Sequence, residues 1–178
     1  NEPEVIWHPS QDFRKNSHVA RLMKKLGHSD YHELLAWSVK DIRRFWDVIL
    51  DDMGFEWQRP YDEVLDLSAG FPWAKWFVGG QTTIALNCLD RHAKGLHQNN
   101  TALIWEGDDG EVRKFTFGEL SAKVSRLANA IRAMGLKPGD TAGVFLPLIP
   151  EAVITMYACF KTGVAVLPAV SYTHLRAH

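Results

Sequence analysis

From Thr101 to Pro168 the sequence switches back and forth between two hydrophobic periods, and this alternation constrains the fold more than any other feature of the chain. Ala102 to Glu106 is a short apolar run, Gly107 to Gly110 an acidic turn, and Val112 to Phe115 a second run. Two such runs joined through Asp109-Gly110 read as a β-hairpin. Thr116, followed three residues later by Glu119, is a capping-box signature. In it, a hydroxyl and a carboxylate each satisfy a backbone N–H that the first helical turn leaves without a partner. The helix so opened carries Phe117, Leu120, Val124, Leu127, Ala128, Ile131 and Met134 as its apolar face, and Gly135 closes it. Lys137 to Asp140 reads as a tight turn, and Thr141 to Leu146 as a strand. Pro150 suits the first turn of another helix, Glu151 complements its positive end, and Gly163 stops it before a last strand, Val164 to Leu167. Strand, helix, strand, helix, strand with short turns is the pattern of a parallel sheet with crossover helices, which sets the fold class as α/β.

The first third reads as short capped helices. Ser17 caps one that carries Val19, Leu22, Met23 and Leu26 and ends at Gly27. Asp30 with Glu33 caps a second, ahead of Leu34, Leu35 and Trp37. Ser38 with Asp41 repeats the signal before Val39, Ile42, Phe45, Trp46, Ile49, Leu50 and Met53, with Gly54 as the stop. From Phe55 to Gly80 the texture becomes aromatic, Pro and Gly residues with little periodicity, which predicts an irregular segment. Thr83 to His92 then predicts a short helix burying Ile84, Leu86 and Cys88. Most of the seven tryptophans precede Phe77, and they suggest a well-packed N-terminal layer. Cys88 and Cys159 are expected to be buried thiols in a reducing compartment.

A net charge of −1 gives no general electrostatic reason to bind nucleic acid or an anionic membrane. No apolar run approaches the roughly 20 residues that span a bilayer. The opening NEPEVIWHPS lacks the basic start and apolar core of a secretory signal, and Asn1 in place of Met suggests a true start upstream. These features predict a cytoplasmic protein.

Individual strings then narrow the class. Trp37-Ser38-Val39, Phe45-Trp46, Ala74 to Gly80 (AKWFVGG) and Asn87 to His92 (NCLDRH) resemble the extra N-terminal helical region of the acetyl-CoA synthetase group of adenylate-forming enzymes. Ala102 to Gly107 (ALIWEG), Phe115 to Leu120 (FTFGEL), Leu127 to Ile131, Gly135 to Asp140 (GLKPGD), Phe145 to Val153 (FLPLIPEAV) and Ala158 to Gly163 (ACFKTG) resemble the start of that group's adenylation domain. The resemblance implies three parts: residues 1–92 as the helical region, 93–168 as the truncated start of the AMP-binding domain, and 169–178 outside the family pattern. The fold it implies is an N-terminal helical cap followed by the first βαβαβ part of an incomplete large domain. Two departures stand out. Gln81, Thr82 and Thr83 occupy positions where the family carries Leu-Asn, which bears on any strict acetate specificity. The closing VSYTHLRAH resembles the translation of a transposon-type sequencing adapter, so Ala169 to His178 is set aside as a foreign tail.

The activity implied is that of an AMP-forming ligase, in which ATP, a small carboxylic acid and CoA give acyl-CoA, AMP and pyrophosphate, with Mg²⁺ as the cation. Such chemistry needs a Gly/Ser/Thr-rich loop of N–H donors, a metal ion and a placed Lys or Arg. Gly79-Gly80 lacks the following Lys and the strand-before, helix-after setting. The resemblance puts the phosphate loop and the adenylation lysine downstream of Pro168, so no catalytic, cofactor-binding or metal residue is assigned and these residues alone are expected to be inactive. Other charged groups have structural readings. Asp90, Arg91 and His92 are expected to cap a helix end and pin the N-terminal region to the sheet. His8, His18, His28 and His32 lack metal spacing; the Asp51-Asp52 and Asp108-Asp109 pairs are adjacent and unsuited to sharing a proton; Lys24-Lys25 and Arg43-Arg44 read as solvated helix faces. The competing readings are a non-catalytic binding or regulatory module built from the ligase N-terminus, and a parent ligase for propionate, acetoacetate or another short acid.

Overall fold

A computed structural model describes residues 6–169. Of the suggested foreign tail, Ala169 to His178, the part from Val170 on lies outside the described residues. The chain divides into two compact units, residues 1–55 with 61–79, and residues 56–60 with 80–178.

The first unit opens with four short helices: α1 (Gln11–Asn16), α2 (His18–Leu26), α3 (Tyr31–Lys40) and α4 (Ile42–Asp52). Ser17 caps α2 by accepting the Ala20 N–H, and Gly27 ends it in the left-handed conformation. Asp30 caps α3 by accepting from His32 and Glu33, while the Glu33 carboxylate reaches back one residue further than a capping box requires, to the Ser29 N–H at 2.7 Å. The expected cap at Ser38 is not formed. Its hydroxyl donates to the Leu35 carbonyl three residues back, which keeps Ser38 inside α3. Asp41, extended at φ −139°, caps α4 instead through the Arg44 N–H. The long helix expected from Val39 to Met53 is therefore two helices broken at Asp41.

The segment expected to be irregular holds a hairpin. β1 (Glu63–Asp66) pairs antiparallel with β2 (Lys75–Val78), Leu65 lying opposite Trp76, and a 3₁₀ turn at Phe71–Trp73 connects them. Leu22, Leu34 and Leu65 are buried. The tryptophans do not form the expected packed layer. Trp76 meets Trp46 edge to face at 6.2 Å and Phe77 at a tilt at 6.1 Å, yet Trp73 is 70% exposed and Trp76 45%. Short helices and four-residue strands present too narrow a surface to cover rings of this size.

The second unit contains the principal core. Ile84 to Ala93 is helical, but Leu86–Asp90 winds as a π-turn before α5 (Arg91–Ala93). This change of period inverts the expected burial. Ala85, Leu89 and Asp90 face inward, whereas Ile84 is 55% exposed and Cys88 is an exposed free thiol. β3 (Thr101–Glu106) and β4 (Val112–Thr116) form the hairpin that Asp109-Gly110 signalled. Gly107 is required there, because an added Cβ would lie 2.7 Å from Asp109 Oδ1 and 2.8 Å from the Trp105 ring.

The full capping box of Thr116 and Glu119 starts α6 (Phe117–Ala133). Its Leu120, Val124, Ala128 and Ile131 pack with Ile154, Ala158 and Cys159 of α7 (Pro150–Thr162). Met134, just past the last packed turn, is 68% exposed rather than buried. β5 (Thr141–Val144) and β6 (Ala165–Pro168) pair in parallel across the α7 crossover. Gly163 makes the turn into β6 at φ +74°, and a Cβ there would approach Pro138 Cβ to 3.0 Å. The α/β reading holds, with one correction: among the described residues β4 does not join β5 and β6. Its backbone is satisfied by β3 and its last residue, Thr116, is already the cap of α6.

Candidate functional site

Open parallel sheets place ligands at the carboxyl ends of their strands. Here those ends are Val144 and Pro168, next to the loop of residues 145–149 and the start of α7. The loop is apolar, with Phe145 65% and Leu148 92% exposed. Trp105 Nε1 donates to the Leu148 carbonyl at 2.6 Å, and the Ala169 N–H donates to the Val144 carbonyl at 2.9 Å. Between β3 and α7 lies an open apolar pocket of about 230 Å³, walled by Leu103, Trp105, Ile149 and Met156 among others.

This end is not built for phosphate. Pro150 removes one N–H from the first turn of α7, and Ile149 offers no side-chain cap. Glu151 brings negative charge to that turn, and Arg113 Nη2 holds its carboxylate at 2.6 Å. The Arg113 hydrogen bond keeps Glu151 below the usual carboxylate range. The same guanidinium lies 5.8 Å from the Trp105 ring centre and 5.5 Å from that of Phe115, so this cation is already committed. No group of three or more His, Cys, Asp or Glu among the described residues is arranged to hold a metal ion. The donor set does not fit ATP with Mg²⁺, and no reaction step is derived through them.

The Asp90-Arg91-His92 cluster does not do what was expected of it. Asp90 is buried and caps nothing; both its oxygens accept from Lys161 Nζ at 2.8 Å, and Oδ1 also accepts from Ser121 Oγ at 3.0 Å. The Lys161 ammonium donates further to Ser125 Oγ at 3.1 Å. Asp90 is thus tied to α6 and α7, not to a sheet. His92 stacks on Phe117 at 5.1 Å and near His97 at 5.9 Å, and desolvation, then the Arg91 charge, lowers its pKa. Sequence reasoning missed Lys161 and both serines. A lysine in the last turn of an apolar helix was the available signal.

Elsewhere the charged groups are engaged as well. Lys25 reaches Asp51 at 3.0 Å and Asp52 at 3.4 Å, and Arg43 Nε donates to the Leu65 carbonyl at 3.0 Å, while Lys24, Lys25, Arg43 and Arg44 all stay exposed on their helices, as expected. Asp109 accepts the Glu111 N–H within the turn. Among the described residues His28 Nε2 is buried without a hydrogen-bond partner, with its ring 5.8 Å from that of Trp37, and His18 contacts Arg21. The Tyr61 hydroxyl donates to the Asp47 carboxylate, which with burial raises its pKa to about 12. Phe77, at φ +50°, is the one non-glycine residue with positive φ among the described residues. Cys159 is buried and its pKa raised by desolvation, the condition of an inert thiol. No described helix is long and apolar enough to cross a membrane.

Comparison with known proteins gives this geometry a family. Residues 31–88 match the acetyl-coenzyme A synthetase N-terminus, and residues 89–177 match the AMP-binding enzyme family, a match that continues past Pro168. The acetyl-coenzyme A synthetase of Chlorobaculum tepidum is 37% identical over 87% of this chain and 22% of its own length. That of Deinococcus radiodurans is 40% identical over 92% of this chain and 23% of its own. The structure of an acetoacetyl-CoA synthetase from Streptomyces lividans superposes with a TM-score of 0.83 at 28% identity, covering 94% of this chain and 27% of that one. The chain spans about a quarter or less of the length of these two curated relatives. Two abutting matches in this order identify it as a member of the AMP-binding enzyme family that carries an acetyl-coenzyme A synthetase N-terminus.

Proposed function

We propose that these residues are the opening portion of an AMP-forming acyl-CoA ligase acting on acetate or another short carboxylic acid, and that they supply scaffold rather than chemistry. The observation that carries the reading is the pair of family matches meeting at residues 88 and 89 within a single fold. In the complete ligase, ATP, Mg²⁺, CoA and the carboxylic acid would be bound by groups supplied elsewhere, in the cytoplasm. The division into a helical region to residue 92, an adenylation-domain start to residue 168 and a foreign tail from 169 belongs to the same proposal. The match reaching residue 177 weighs against the foreign tail, and the nucleotide sequence across the codon for Ala169 tests it.

Acetate-dependent exchange of pyrophosphate into ATP tests the function. Residues 1–169 expressed alone should give none, and the complete natural reading frame should support it with acetate, propionate or acetoacetate. Turnover by the short chain unaided would overturn the proposal. A reading frame that ends without a Gly/Ser/Thr-rich loop closed by Lys would favour a binding module instead.

A further inference from the structure

A π-turn is a rare departure within a helix, and here its geometry coincides with a buried charge. The Arg91 N–H bonds the Leu86 carbonyl, five residues back. An α-helix advances about 100° per residue, and a π-helix only about 80°. From Ala85 to Asp90 the five steps therefore place Asp90 about 40° from Ala85 in the π register, but about 140° away in an α register. Ala85 is fully buried and Leu89 is 1% exposed, so only the wider turn lets Asp90 face inward beside them. On the other side of the turn, Asn87 grips the Glu56 backbone, accepting its N–H at 2.8 Å and donating to its carbonyl at 2.9 Å.

We propose that the Leu86–Asp90 π-turn is a conformational latch: the ion pair of Asp90 with Lys161 holds the wide register, and losing the pair lets the segment relax to an α-helix that turns Asp90 outward. The driving force is the cost of a buried carboxylate left without its cation. The consequence reaches the start of α6. His92 lies two residues past the latch and its ring meets that of Phe117 at 5.1 Å, while the Phe117 and Gly118 N–H groups bond the carbonyls of Asn100 and Gln98 at 3.1 and 3.0 Å. The latch thus links the last turn of α7, through Lys161, to the first turn of α6. It sits where the two family matches meet, one ending at residue 88 and the other starting at 89.

Amide hydrogen exchange in the full chain tests the latch. Lys161→Met should speed exchange over residues 84–93 at least tenfold while leaving the middle of α6 protected, and Lys161→Arg should hold exchange at the parent level. Unchanged exchange in Lys161→Met overturns the proposal. A second variant covers the case in which Lys161→Met does not fold. Deleting the exposed Cys88 removes the extra residue of the turn, so an ordinary α-helix then presents both Leu89 and Asp90 inward. That variant should fold with its Asp90–Lys161 pair intact and the Arg91 N–H bonded four residues back. A deletion variant that fails to fold, or one that keeps the five-residue bond, also overturns the proposal.

Discussion

At the scale of single residues, the environment assigned to a polar group depends on partners far away in sequence. Asp90 and Lys161 are separated by 71 positions, and nothing local to either string announces the pair. Tyr61 and Asp47 are a second case, and this one has a measurable titration. The hydrogen bond to Asp47, then burial, raises the tyrosine from 10.0 to about 12. A raised folded-state pKa means that the native state favours the protonated phenol. The stabilisation is therefore fully present below pH 10 and is lost as pH climbs from about 10 to about 12. In Asp47→Asn the phenolate absorbance of Tyr61 should appear at lower pH, shifted toward the ordinary value of about 10, with the part due to burial retained. A Tyr61→Phe variant identifies which part of the titration belongs to this residue, and an unshifted curve in Asp47→Asn would show that the carboxylate does not hold the proton.

At the scale of elements, local chemistry was most legible where a cap or a stop is written within four residues. Ser17 with Gly27, Thr116 with Glu119, and Pro150 with Gly163 each begin or end a helix as their side-chain chemistry requires. Thr116 both ends β4 and caps α6, accepting the Glu119 N–H at 3.2 Å while the Glu119 carboxylate accepts the Thr116 N–H at 2.9 Å. Thr116→Ala removes one half of that exchange and should lower stability by about 1 kcal/mol, read as a shift in urea midpoint at unchanged slope. Elements without such local punctuation were not legible. β1 and β2 are four residues each, and their register joins positions 9 to 15 apart, as in Glu63 with Val78 and Leu65 with Trp76. The Ser38 signal misled because a hydroxyl inside a helix can bond backward to a carbonyl as readily as forward to an N–H.

For the molecule as a whole, the exposed apolar side chains of the second unit have a solution consequence. Phe145, Leu148 and Leu167 stand 65%, 92% and 59% exposed at the ends of two paired strands. Apolar surface of this kind beside unpaired strand edges favours association. Residues 1–169 alone should scatter light increasingly with concentration, and Leu148→Lys should reduce that scattering without changing the far-ultraviolet circular dichroism spectrum. A monodisperse short chain would show that the surface is adequately solvated as it stands. By itself the sequence determined the α/β class, the starts of α2, α3, α6 and α7 and, through ordered motifs, the family, because caps, hydrophobic period and motif strings are all properties of near neighbours. Only the tertiary structure decided that the helix before residue 93 widens into a π-turn, that Asp90 turns inward to Lys161, and that β4 stays with β3. Each of those outcomes balances the desolvation of a charge or a backbone group against partners that folding brings from tens of residues away, and no local pattern encodes that balance.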